Sequence, residues 1–128
     1  MQELSRDGQL TIHLRAVLGE EGYVRFCQAL GGTRVYVPWN LRDDSDVVEA
    51  VGREAADKLS RRFAPATIRV PLARRERALY YRRQGLSDAA IARKLGITEN
   101  GVGKLFRREQ DLPPRPRSDK NPSQLDLF

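Results

Sequence analysis

Hydrophobic positions recur along this chain with two periods, and the changes between them mark out its elements. Leu10, Leu14, Val17 and Leu18 fall on one helical stripe, which Gly19 can close. Tyr23, Phe26, Cys27 and Leu30 then repeat at i, i+3, i+4, i+7, predicting a second helix over 20–30 that ends at Gly31 and Gly32. The period next falls to two. Thr33 to Pro38 alternates, is rich in β-branched and aromatic residues, and stops at proline, the pattern of a short strand. A third helix is expected from Asp46, with Asp46 as its cap and Glu49 as capping-box partner. Its stripe is Val48, Val51, Ala55, Leu59 and Phe63. A second short strand, Ala66 to Val70, ends at Pro71.

The two helix–strand segments resemble each other at an offset of 33 residues. Leu30 to Pro38 aligns with Phe63 to Pro71, each a helix end, a small-residue break, a strand and a proline. This predicts a duplicated unit whose strands pair as an antiparallel ribbon. Downstream, a basic helix is expected over 72–84, ended by Gly85, followed by helices over 87–95 and 98–109. Residues 1–9 are expected to be disordered, and 111–123, with Pro113, Pro114, Pro116 and Pro122, to be an extended tail. The fold class predicted is therefore mainly α. Its N-terminal helices carry a short two-stranded antiparallel β-ribbon over 10–71. A helix-turn-helix three-helix unit follows over 72–110, and a disordered C-terminal tail over 111–128.

Charge changes this picture by concentrating in one place. The chain of 128 residues has a net charge of +6. Residues 1–71 carry ten basic and ten acidic side chains, 72–110 ten and four, and 111–128 three and three. The whole excess lies in the predicted three-helix unit, the footprint expected of a phosphate-binding surface. Cys27 is the single cysteine, which excludes an intramolecular disulfide. With no signal-peptide pattern at the start, this points to the bacterial cytoplasm or nucleoid. No apolar run approaches the ~20 residues of a membrane span, so no membrane partner is expected.

The basic stretch holds the residues that a helix-turn-helix needs. Two helices crossing steeply over a very short turn require a small residue at the crossing, here Ala92, and a turn residue free to take positive φ, here Gly96. Ile91, Leu95, Ile97, Val102, Leu105 and Phe106 supply the core, and Ser87 and Thr98 can cap the two helices. With Val102, Leu105 and Phe106 inward, Asn100, Gly103, Lys104 and Arg107 form the opposite face, with Thr98 and Glu99 at the end that enters the major groove. Asn100 can read adenine, Glu99 can accept from cytosine, and Lys104 can reach guanine or phosphate. Arg107 and Arg108 suit the backbone. Gly103 costs the helix about 1 kcal/mol, so it has a packing or a contact reason. The expected partner is double-stranded DNA.

The order of parts, with Gly31, Gly32, Val35, Tyr36, Val37 and Pro38 on the first strand and the helices of 72–108 after it, resembles the Mor/C family of phage Mu-like middle and late transcription activators. The resemblance implies a homodimer that binds DNA and recruits host RNA polymerase. It also implies a strand region near DNA, with Thr33, Arg34 and Tyr36 close to the minor groove or backbone. The chain departs from that pattern by inserting about 33 residues between the proline and the DNA-binding helices. An internally duplicated monomer, a pseudo-dimer, is the expectation this raises.

The C-terminal Gln124-Leu125-Asp126-Leu127-Phe128 resembles the motif by which bacterial proteins bind the replication sliding clamp, DNA polymerase III β. Three apolar residues at the end of a polar tail are not what a solvated terminus favours; the alternatives to a partner's pocket are folding back onto the protein's own core and a chance match. His13 stands alone, so no metal site is expected. Cys27 and Trp39 are expected in the core, and Asp43, Asp44 and Asp46 beside a helix N-terminus. No P-loop, Ser/His/Asp set or paired catalytic carboxylates occur, so neither enzyme activity nor a cofactor is expected. The leading expectation is a Mor-like activator. The alternatives are a replication-associated or host-takeover factor working through the clamp, or a repressor.

Overall fold

A computed structural model describes residues 7–107. Over that span the chain is mainly helical with one two-stranded antiparallel sheet, in the order α1 (Asp7–Leu30), β1 (Arg34–Val37), α2 (Asp46–Val51), α3 (Arg53–Phe63), β2 (Ala66–Arg69), α4 (Arg74–Arg83), α5 (Asp88–Leu95) and α6 (Glu99–Phe106). It divides into two compact units at Ala73/Arg74. Helix α1 starts at Asp7, inside the segment expected to be disordered. The pentapeptide 124–128 and Arg108 lie outside the described residues.

In the first unit the two helices expected on either side of Gly19 run on as α1 with a kink there, at φ 77° and ψ 169°. Gly52 has almost the same conformation, φ 93° and ψ 164°, and it breaks the expected third helix into α2 and α3. The two glycines are 33 residues apart, the offset of the sequence repeat. The break resets the helical phase. Instead of one continuous stripe, α2 buries Val47 and Val51, and α3 buries Ala56, Leu59, Ser60 and Phe63. Val48 and Ala55 are only partly covered. The cap also moves: Ser45, not Asp46, accepts from the Val48 amide at 3.1 Å. Asp43 and Asp44 are engaged by Arg53 and Arg42 respectively. Arg53 also binds Asp57 and the Leu41 carbonyl. Its hydrogen bonds to Asp57 and then Asp43 hold its proton more tightly than usual.

The ribbon pairs Arg34 with Arg69, Val35 with Ile68, Tyr36 with Thr67 and Val37 with Ala66. This register is symmetric about Val35↔Ile68, since shifting by 33 residues turns Arg34↔Arg69 into Thr67↔Tyr36. Burial alternates as a half-covered sheet requires. Val37, Ala66 and Ile68 face a core built from Leu10, Leu14, Tyr23, Phe26, Cys27, Leu59 and Phe63, while Arg34, Tyr36, Thr67 and Arg69 face out. Two interstrand bonds beyond the ladder, Gly32 N–H to Val70 O and Val70 N–H to Thr33 O, close its end at 2.8 Å each. At Gly31 a Cβ would lie 2.4 Å from the Cys27 carbonyl and 2.9 Å from that of Pro71, so this close approach excludes any side chain. Trp39 is not in the core; it is 66% exposed just past Pro38. Leu72, its counterpart at the 33-residue offset, is also exposed.

The second unit packs α4, α5 and α6 on one another. Its interior holds Ala78, Tyr81, Ile91, Ala92, Leu95, Val102 and Phe106, and also two arginines, Arg77 and Arg82.

Candidate nucleic-acid interface

The turn between α5 and α6 is made by Gly96 in the left-handed conformation, φ 74° and ψ 33°. Its amide and that of Ile97 both donate to the Ala92 carbonyl, at 2.8 and 3.0 Å, ending α5 within one residue. A Cβ-bearing residue would be strained there. Ala92 is buried at the same point, as the motif requires. Ser87 accepts from the Ala90 amide at 3.2 Å and Thr98 from the Gly101 amide at 3.0 Å, so both expected caps are formed. Each acceptor is used within its helix, which leaves the hydroxyl proton as the group that can reach a phosphate.

Helix α6 buries Val102 and Phe106, with Leu105 half-covered. That orientation exposes Thr98, Glu99, Asn100, Lys104 and Arg107 together, with Gly103 between them. The outward row therefore offers a carboxylate, an amide, an ammonium and a guanidinium between Glu99 and Arg107. These groups match base edges near the helix start and phosphates near its end.

The basic excess is distributed differently from the expectation. Arg77 and Arg82 are withdrawn into the unit, 5% and 2% exposed, and cannot contact phosphate. Arg77 caps the C-terminal end of α5 by donating to the Lys94 carbonyl at 3.0 Å. Arg82 joins all three helices. It leaves α4, pairs with Asp88 in the first turn of α5, and lies 4.7 Å over the Phe106 ring of α6. The exposed cations of the described unit are Arg74, Arg75, Arg83, Arg93, Lys94, Lys104 and Arg107. A charge count along the sequence cannot separate these from the structural pair, because α4 carries both buried and exposed arginines.

In the first unit Arg34 and Tyr36 stand on the outer face of the ribbon, Tyr36 with 61% exposure. Thr33 instead donates its hydroxyl to the Leu30 carbonyl at 2.7 Å, capping α1. The sequence reading missed Arg69, placed directly opposite Arg34 by the register. Like charges opposed across a ladder destabilise it. No acidic side chain among the described residues pairs with either arginine, so an anion on this face would relieve the repulsion. Among the described residues no His/Cys/Asp/Glu group could hold a metal, and no helix is long and apolar enough to cross a membrane. No family model matches the chain, and neither a curated protein nor a solved structure does.

Proposed function

We propose that the chain is a sequence-specific transcription regulator that reads the major groove of double-stranded DNA with α6. The observation that carries this reading is the division of α6 into a locked inner face, Val102 and Phe106, and an outer face of Glu99, Asn100, Lys104 and Arg107. The left-handed Gly96 turn behind it supports the same reading. Asn100 and Glu99 select bases, Lys104 reaches guanine or phosphate, and Arg107 and Arg108 hold the backbone, with Ser87 and Thr98 at the groove edge. The ribbon, through Arg34, Tyr36 and Arg69, adds a second, sequence-tolerant contact.

The resemblance to Mor/C activators makes activation through host RNA polymerase the regulatory sense. The terminal pentapeptide ties the protein to the bacterial sliding clamp and thereby to replicating DNA. Completion of the ribbon within one chain, in a register symmetric at the repeat offset, supports an internally duplicated monomer with one reading head among the described residues.

The test is selection of a randomised duplex library by the full-length protein, followed by affinity measurements on the selected site. Wild type should enrich one short site. Asn100→Ala should lose about tenfold on that site while keeping its affinity for scrambled duplex. No enrichment, or equal loss on both duplexes, rejects base reading by α6. Deleting 124–128 should abolish capture by purified clamp and leave site affinity unchanged.

A further inference from the structure

Gly103 lies in the middle of α6, where glycine is a poor helix former. Packing gives no reason for it. Among the described residues a Cβ built there meets nothing within 4 Å. Gly101, two residues earlier, differs, since its Cβ would sit 3.3 Å from the Ile97 side chain and 3.4 Å from the Thr98 hydroxyl. Gly101 is therefore explained inside the protein and Gly103 is not. Gly103 is flanked on the exposed row by Asn100 and Lys104, so its missing side chain leaves a notch in the surface read as DNA-facing.

What fits such a notch follows from the chemistry of base edges. On the major-groove side guanine offers two acceptors, adenine an acceptor and a donor, and cytosine a donor. A glycine Cα has no hydrogen-bonding group to meet them, and burying such an edge unpaired is unfavourable. The one apolar group on the groove floor is the C5 methyl of thymine. We propose that Gly103 is a specificity-determining residue whose notch receives a thymine methyl, so the site carries a preferred thymine next to the base read by Asn100. This rests on the reading of α6 as the groove helix.

The experiment exchanges one methyl group between protein and DNA. The probes are the best duplex selected by the wild-type chain and a series in which each thymine in turn is replaced by deoxyuridine. At one position wild type should prefer thymine by about fourfold, the value of one buried methyl. Gly103→Ala should bind the thymine duplex more weakly than wild type does and should regain affinity on the deoxyuridine duplex at that position only. The same variant should melt about 4 °C higher, because alanine favours the helix. That rules out misfolding as the cause of weaker binding. The slope of log K against log salt should not change, since no phosphate contact is lost. If wild type selects a site but no position reverses its thymine preference in Gly103→Ala, the proposal is wrong. If Gly103→Ala weakens all duplexes equally, the notch faces backbone and the proposal is again wrong. If wild type selects no site, the reading of α6 itself has failed.

Discussion

Arg82 offers a direct test of how the three-helix unit is held together. Its side chain is 0% exposed, and its partner Asp88 is 22% exposed. Removing one member of such a pair leaves the other charge desolvated, at a cost of about 3–5 kcal/mol. The Phe106 ring would also lose its cation. At about 0.1 kcal/mol of stability per residue, a unit spanning 74–107 has about 3 kcal/mol in total. Arg82→Met should therefore bring the second unit close to its unfolding midpoint at 25 °C, while the first unit keeps its own core. Two-dimensional amide NMR separates these outcomes: signals from residues of α4–α6 should collapse toward random-coil positions, and those of the ribbon and α1 should stay dispersed. The double variant Arg82→Met/Asp88→Ala removes the stranded charge and should recover part of the loss. A drop of under about 4 °C in Tm for Arg82→Met, or a double variant less stable than the single, would refute the reasoning.

Two further outcomes follow. Gly31→Ala should destabilise the first unit by about 2 kcal/mol or more, because its Cβ would collide with two backbone carbonyls that cannot swing away; a thermal melt of the full chain reads this directly. Arg34→Ala/Arg69→Ala should not lower Tm, since it removes a like-charge pair, yet it should weaken DNA binding and reduce the salt slope by about 2, one phosphate per arginine. An unchanged slope would take the ribbon off the DNA.

The elements that periodicity and punctuation mark most strongly were legible in the sequence. The strands ending at Pro38 and Pro71, the pairing of the two, and the α5–α6 turn at Gly96 all follow from local residue chemistry. The break at Gly52 was not legible, because Val48, Val51, Ala55, Leu59 and Phe63 fit one helix as well as two and an isolated glycine need not end a helix. Ser45 and Asp46 are both good caps, and only the backbone decides between them. Arg77 and Arg82 occupy the same stripe of α4 as Ala78 and Tyr81, but a pattern that scores arginine as polar turns that stripe outward. The opposition of Arg34 and Arg69 depends on register, which no single strand reveals.

Under the proposed reading of α6, the symmetry of the ribbon bears on the form of the target site. A reader built from two separate chains imposes its own dyad on its target, and inverting the site then changes nothing. Here the symmetric platform lies within one polypeptide, and among the described residues a helix-turn-helix follows only its second half. If α6 reads DNA as proposed, the matching site has a left and a right. Inverting it without changing a base would point every other surface of the protein in the opposite direction along the duplex.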